Sequence, residues 1–397
     1  MRKLLRFTTA TFLLACASTT LPAAAQTTPI KIGFANSFSP PGNVIGGRES
    51  KVGGEIALDM FKAQFGPKVD GRDIEIIYED TRGDPEASRS AMEKLVNRDK
   101  VDVVVGCNHS SEGFVLSRIA HENKVGFVAM NCWADDIRQQ KFPEVFAVSN
   151  YTSRTSYAVT NFVKQQGVKN FLMVAENTDY GLAQIKMIEA DLKRDAPDVK
   201  VSTKIINKTS RDMRDEILSI RQNPPDLIGV AMVAPQGFLF TAQLDELGMP
   251  PSEQKVIDIG GFVDQAGFWD NVKGAGVGLY AYVLDHKSNP VTELGAKVQA
   301  EYRKRTNQDP TRFILQGFDT TWVALMAIKE SGGKSREAII QALRKIRVVG
   351  SRGEIFFTDE PLFQQWPNIP FVVGQMEKVG QPPSESKVVF PPPSSKK

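Results

Sequence analysis

The sequence predicts an α/β protein of two similar lobes, each a parallel sheet flanked by helices. Three observations point to it. Short apolar runs alternate with longer amphipathic ones along most of the chain, the pattern of strand–helix units with right-handed crossovers. The alternation completes one round by Ser149 and then restarts. At 397 residues the chain is long enough for two hydrophobic cores.

The elements follow in order. Ile30–Phe34 reads as a strand, and Gly53–Gln64 as a helix with Ile56, Ala57, Met60 and Phe61 on one face. Ile74–Tyr78 is the next strand. Pro85–Asn97 is a helix opened by Asp84 or Pro85. Val101–Val105 is near-continuously apolar, as in a strand buried on both faces. Glu112–Glu122 is helical and Gly126–Met130 a strand. In the second round, Tyr157–Gln166, Gly181–Arg194, Met213–Gln222 and Phe238–Leu247 are helices. Asn170–Ala175, Val199–Ile206, Leu227–Met232 and Lys255–Asp258 are the strands between and after them. Val291–Arg305, Thr320–Ser331 and Arg336–Ile346 complete the helices. Residues 381–397 are rich in Pro, Ser and Lys and are expected to be disordered.

The first 25 residues set the compartment. Arg2, Lys3 and Arg6 precede an apolar run from Phe7 to Leu21, and Ala23-Ala24-Ala25 sits before Gln26, as small residues sit before a signal-peptidase cut. The expected product begins at Gln26 and lies in the periplasm. A rival reading takes Leu13-Leu14-Ala15-Cys16 as a lipoprotein box that leaves Cys16 lipidated. No later stretch has the apolar length of a membrane helix. The formal charge of +3 falls to near neutral once the leader is removed, so neither nucleic acid nor an anionic membrane is an expected partner. Three scattered histidines argue against a metal site, and no cofactor is expected.

Ligands of open α/β sheets bind at the carboxyl ends of strands, beside helix N-termini. The loop Gly106–Gly113 lies at such an end. Ser110 or Ser111 is a natural N-cap there, and the helix N–H groups suit a carboxylate; plain capping without a ligand is the alternative. The following strand ends in Asn131-Cys132-Trp133-Ala134. Trp133 reads equally as a stacking wall or as lobe packing. Cys107 and Cys132 occupy equivalent positions past the ends of their strands. If those strands are neighbours, their spacing suits a disulfide, the alternative being two buried thiols.

Gly33, the segment Tyr78-Glu79-Asp80-Thr81-Arg82-Gly83-Asp84-Pro85, the Gly106…Ser110-Ser111 loop and Asp179-Tyr180-Gly181 occur in a diagnostic order. From Ile30 to about Met376 the chain resembles a type I periplasmic solute-binding protein of the leucine/isoleucine/valine-binding family, which feeds ABC importers. The resemblance implies a two-lobe clamp with crossovers near Asn150, Tyr282 and Phe357. Lobe 1 would comprise 26–149 and 284–357, and lobe 2 would comprise 150–283 and 358–380. It implies no enzymatic activity. Ser110, with Ser111 beside it, would hold a ligand carboxylate, assisted by Asn131, Cys132, Trp133 and Ala134. Tyr180 would close from the second lobe. The expected partners are a small amino acid or organic acid and an inner-membrane ABC permease, with the binding protein itself a monomer. Relatives often pair the first cysteine position with an earlier loop, near Gly83 here, so a Cys107–Cys132 bond is not inherited from the family.

Three departures bear on the ligand. Amino-acid-binding members carry an acid on the second lobe for the α-ammonium group; that position falls at Gly261 or Phe262, leaving Asp264 or Asp179 as substitutes. A second-lobe aromatic of those members aligns with Val233. The loop after the first strand carries Gly47-Arg48, and Arg48 is either a fork for a second carboxylate or a surface charge. A branched-chain amino acid is the family default, and a carboxylic acid without an amine is the alternative. A receptor-associated sensor would use the same closure. The chain lacks the Gly-x-Ser-x-Gly, His-Glu-x-x-His and Gly-x-x-x-x-Gly-Lys patterns of hydrolases, metalloproteases and nucleotide-binding loops.

Overall fold

The computed structural model describes residues 28–391. The expected leader and Cys16 lie outside them. The first sheet is built from β1 (Ile30–Asn36), β2 (Lys68–Val69), β3 (Arg72–Asp80), β4 (Val103–Gly106), β5 (Gly126–Ala129) and β6 (Val145–Ala147), in the order β2-β3-β1-β4-β5-β6. All its pairings are parallel except the short β2 edge. Between these strands run α1 (Val44–Phe65), α2 (Pro85–Glu93), α3 (Ser110–Glu122) and α4 (Asp136–Gln139). Asp84 caps α2 by accepting from the N–H groups of Glu86 and Ala87, and Pro85 supplies the preset first turn.

The chain then enters the second sheet through α5 (Thr152–Gln165), β7 (Asn170–Glu176), α6 (Asp179–Asp195), β8 (Lys200–Ile206), α7 (Arg214–Arg221), β9 (Leu227–Ala231), α8 (Gln236–Glu246), β10 (Val256–Asp258), α9 (Phe268–Val272) and β11 (Tyr280–Val283). It returns with α10 (Glu293–Thr306), α11 (Arg312–Ser331), α12 (Arg336–Lys345) and the hairpin β12 (Arg347–Val349) and β13 (Glu354–Phe356). It ends on the second sheet with β14 (Val372–Gln375) and β15 (Lys387–Phe390), giving the order β15-β14-β11-β10-β9-β7-β8. Three passages thus join the two layers, after β6, after β11 and after β13. Both sheets are mainly parallel, and the last two strands run antiparallel on the edge of the second.

Two helices begin earlier than their periodicity predicts, and they are the pair that packs closest. α1 starts at Val44 rather than Gly53, running through Gly46 and Gly47, because Asn43 caps it by accepting from Gly46 N–H. α11 starts at Arg312 rather than Thr320. Every residue from Arg312 to Leu325 is buried, so no exposed face marks its first turns. A Cβ at Gly53 would collide with the Ile314 carbonyl, and one at Gly317 with the Ser50 carbonyl. The glycines therefore let the two backbones touch.

The tail is a correction. Within 381–397, expected to be disordered, Lys387–Phe390 pairs with β14, and the His286 ring nitrogen Nε2 meets the Ser386 carbonyl at 2.9 Å. Val388 and Val389 pack against the cores, so apolar residues inside a polar composition supply the drive to order. Residues 392–397 lie outside the described part.

Cys107 and Cys132 form a disulfide with Cα atoms 5.9 Å apart. β4 and β5 pair in parallel with Gly106 opposite Ala129, so residues just past those ends are within reach of each other.

The start of α3 differs from expectation. His109, not Ser110 or Ser111, is its N-cap residue. The carboxylate of Glu112 turns back to accept from Asn108 N–H at 2.6 Å and His109 N–H at 3.0 Å. Its other oxygen accepts from Ser37 Oγ and Thr81 Oγ1, each at 2.6 Å. One buried carboxylate thereby holds the loops after β1, β3 and β4. Glu112→Ala strands four donors, and it is expected to lower the unfolding free energy by about 3 kcal/mol or more. Glu112→Gln is expected to lose less. Urea denaturation of the two variants checks both.

Candidate functional site

The carboxyl ends of both sheets face one another across a cleft. A narrow cavity lies there, with about 330 Å³ free of protein atoms when open solvent is counted. Lobe 1 lines it with Asn43, Asn108, His109, Ser110, Asn131 and Trp133, and lobe 2 with Tyr180, Val233, Gly260 and Gln265. Arg312, at the start of α11, completes the lining.

A relay of hydrogen bonds fixes the lobe 1 wall. Trp133 Nε1 donates to Asn131 Oδ1, Asn131 Nδ2 to Asn108 Oδ1, and Asn108 Nδ2 to the Asn43 carbonyl. The Asn43 N–H in turn donates to His109 Nε2 at 3.1 Å, which requires a neutral imidazole with its proton on Nδ1. Burial holds that imidazole below its usual range, opposed by nearby Glu112. The Trp133 ring meets Tyr180 and Tyr282 edge-on at 5.9 and 6.3 Å.

Arg312 crosses the cleft. Its guanidinium lies 5.2 Å from the Trp133 ring centre and 4.5 Å from that of Phe313. Its Nη2 donates to the Gly261 carbonyl at 3.2 Å, and Nε stands 3.9 Å from Asp264 Oδ2. Nε and Nη1 are buried without a hydrogen-bond partner, as is Asp264 Oδ2. Burial pushes the Asp264 carboxyl up to about 7 against the pull of Arg312, and Asp285 adds to the rise. Gly261 has φ +68°, and a Cβ on it would lie 2.8 Å from Arg312 Nη1 and Nη2. Position 261 thus has no room for a side chain while Arg312 holds its place. Chemically, the site offers a buried guanidinium with two nitrogens that lack hydrogen-bond partners, beside an aromatic wall.

A family model described as periplasmic binding protein matches residues 29–380. The chain belongs to the periplasmic binding protein family. Among solved structures, it is similar to a leucine-binding protein, LivK, of Thermotoga maritima (21% identity, 88% of this chain and 95% of that one, TM-score 0.78). A second neighbour is LivJ, a branched-chain amino acid transporter substrate-binding protein of Streptococcus pneumoniae in complex with isoleucine (18% identity, 91% and 99%, TM-score 0.78). A third is an ABC transporter solute-binding protein of Rhodopseudomonas palustris in complex with 3,4-dihydroxybenzoic acid (21% identity, 89% and 94%, TM-score 0.76). No curated protein sequence matches the chain.

Of the residues singled out from the sequence of this periplasmic binding protein, Ser110, Asn131, Trp133 and Tyr180 meet around the cavity. Ser110 Oγ accepts from Ala134 N–H at 3.1 Å, which leaves its own proton to donate. Tyr180 brings its ring, since its hydroxyl donates to the Ile259 carbonyl at 3.0 Å. Ser111, Cys132 and Ala134 stand behind the lining, Cys132 being tied up in the disulfide. Asp264 sits beside Arg312 rather than on the wall. Two residues lie elsewhere. Arg48 is exposed on α1, and Phe262 packs into the lobe 2 core with Phe238 and Phe268. Asp179 is also exposed. The sequence reading missed Asn43, Gln265 and Arg312 as wall residues. Arg312 had one usable signal, a lone cation just before an apolar run that is buried all round.

Behind Arg312, Glu49 accepts from Thr311 Oγ1 at 2.6 Å. Burial pushes its carboxyl up from 4.5 to about 7, opposed by the Thr311 bond and by Arg312. A folded-state pKa above the unfolded one costs nothing below the unfolded value; the cost grows as pH rises from the unfolded to the folded value and levels off above it. Glu49→Gln removes that cost. The melting temperature of the variant relative to wild type is therefore expected to climb between pH 5 and pH 8, as read by thermal melts of both proteins across that range.

Proposed function

We propose that this protein is the extracytoplasmic substrate-binding component of an ABC importer, and that it captures a small carboxylate with an apolar body between two closing lobes. The observation that carries the reading is Arg312, a buried cation with two unpartnered nitrogens facing a cleft lined by Trp133 and Tyr180. A carboxylate supplies the charge and the acceptors that Nε and Nη1 lack, and an apolar body fits against the rings. Ser110 adds a hydroxyl from the opposite wall. The proposed site comprises Arg312, Ser110, Asn131, Trp133, Tyr180 and Gln265.

An organic acid without an amine fits better than an amino acid. No carboxylate stands on the cavity wall, and the place where amino-acid binders carry an acid is filled by the Arg312 guanidinium over Gly261. The unpaired oxygen of Asp264 is what favours the second reading, a branched-chain amino acid with its ammonium drawn to that carboxyl. The solved neighbours include proteins holding isoleucine and 3,4-dihydroxybenzoic acid, so the fold accommodates both classes.

The partner would be an inner-membrane ABC permease, with the binding protein acting as a periplasmic monomer released by cleavage between Ala25 and Gln26. Intact mass of the exported protein is expected to show Gln26 at the N-terminus; a lipidated Cys16 would replace that reading. Among the described residues no helix is long and apolar enough to cross a membrane, and no group of His, Cys, Asp and Glu side chains is placed to hold a metal ion.

Calorimetry with benzoate, 4-methylpentanoate and leucine tests the ligand class. One of the two acids is expected to bind, and leucine to bind at least tenfold more weakly. Arg312→Lys keeps the charge but loses the planar guanidinium over Trp133. It is expected to weaken the bound acid by about 2 kcal/mol or more while the unliganded melting temperature holds within a few degrees. An Arg312→Lys protein that binds as wild type does would place the carboxylate elsewhere.

A further inference from the structure

We infer that the ligand carries a hydroxyl in addition to its carboxylate, and that Gln265 is the residue that reads it. The inference rests on the carboxylate reading above and adds a second recognition element to the same site.

Gln265 follows Asp264 on the loop between β10 and α9. It is 3% exposed. Both ends of its amide, Oε1 and Nε2, are buried without a hydrogen-bond partner, and its side chain lines the cavity with Arg312 and Trp133. Buried amides normally find partners, and one left unpaired calls for an account. Gln184 and Gln316 are unpaired too, but neither lines the cleft. Gln265 alone among them has a ligand space in front of it.

The chemistry of the amide restricts what fills that space. Oε1 needs a donor and Nε2 needs an acceptor. A carboxylate only accepts, so it leaves Oε1 unpaired, and Nε and Nη1 of Arg312 already compete for its oxygens. An ammonium only donates, so it leaves Nε2 unpaired. A hydroxyl does both, donating to Oε1 and accepting from one N–H of Nε2. The backbone near Gln265 offers no substitute. The Asp258 carboxylate accepts from the N–H groups of Gly261 and Val263, and Gln265 N–H donates to the Phe262 carbonyl at 3.1 Å. These bonds fix the loop and leave the side-chain amide for the cleft. A site built this way discriminates strongly against an analogue lacking the hydroxyl, because closure then buries both ends of the amide unpaired.

The test uses matched pairs: benzoate with 4-hydroxybenzoate and with 2-hydroxybenzoate, and 4-methylpentanoate with 2-hydroxy-4-methylpentanoate, with leucine as the ammonium-bearing counterpart. Dissociation constants are measured by calorimetry for wild type and for Gln265→Leu, which keeps the volume and removes the amide. In at least one pair wild type is expected to bind the hydroxy acid about tenfold or more tightly than its parent. Gln265→Leu is expected to erase that preference, weakening the hydroxy acid while the parent acid binds as before or better. Gln265→Asn, with the same groups set back, is expected to fall between. Parent acids that bind wild type as tightly as their hydroxy partners overturn the inference and leave the carboxylate reading standing. So does a hydroxyl preference that survives in Gln265→Leu. Binding of leucine alone overturns the inference and moves the ligand to the amino-acid class. If no carboxylate binds wild type, the carboxylate reading falls and this inference falls with it.

Discussion

The cleft depends on one buried carboxylate. Glu112 sits in the first turn of α3 and takes four hydrogen bonds from three loops: Ser37 after β1, Thr81 after β3, and the backbone of Asn108 and His109 after β4. Parallel strands alone do not fix the loops that leave them, since their bonds end where the strand ends. A negative charge at a helix N-terminus is favoured there and attracts every free donor in reach. With those loops fixed, Asn108 can hold Asn131 and through it the indole of Trp133, and His109 can accept from Asn43 at the start of α1. The position of the aromatic wall follows from a residue that does not touch the cavity.

Arg312 reaches the same wall from the opposite side by a second chain of constraints. α11 approaches α1 backbone to backbone because Gly53 and Gly317 remove the side chains that would part them. That approach carries the first residue of α11 into the cleft, where the absence of a side chain at Gly261 gives the guanidinium a flat seat. The result is a cation bonded to the Gly261 carbonyl of lobe 2 and set over the Trp133 ring of lobe 1. When the lobes part, water can pair Nε, Nη1 and the Gln265 amide. On the proposed closure, a ligand would take the place of that water. Each buried donor left unpaired costs about 1–3 kcal/mol, which biases the empty protein against closure and the loaded one toward it. Lys208 of lobe 2 donates from Nζ to the Gly83 carbonyl of lobe 1 at 3.1 Å, a bond that bridges the two lobes.

The sequence revealed what is local or repeated. Strand and helix periods gave the two sheets, because each element buries one face or both and its pattern shows which. The disulfide was legible because neighbouring parallel strands bring matched positions together, as Gly106 and Ala129 show. Ser110, Trp133 and Tyr180 were legible because each stands at a strand end or helix start. What could not be read comes from convergence of distant segments. The opening turns of α11 have no exposed face to give a period. Arg312, Gln265 and Asn43 come from three separate regions, and only the packed structure brings them to one cavity. β15 was hidden for the opposite reason, four residues of strand inside a composition that signals disorder.

The relation between Gly261 and Arg312 bears on how one fold serves ligands of different charge. The family resemblance implies that an acid answering an α-ammonium would stand at Gly261 or Phe262. Here a side chain at 261 would have to occupy the space of the guanidinium, in a left-handed conformation that favours glycine. Phe262 is committed to the lobe 2 core. A side chain at 261 would press on the far end of the Arg312 side chain, which would have to move from its present place. Asp264 does not restore the lost acid in full. Its carboxyl is buried and pushed up to about 7, so near neutrality it carries only part of a charge, and Arg312 already stands 3.9 Å away. On the proposed reading, a cation at the cleft in place of an acid favours a ligand that carries a carboxylate and no ammonium. The sheets, the Glu112 knot and the aromatic wall need not change for that exchange to occur.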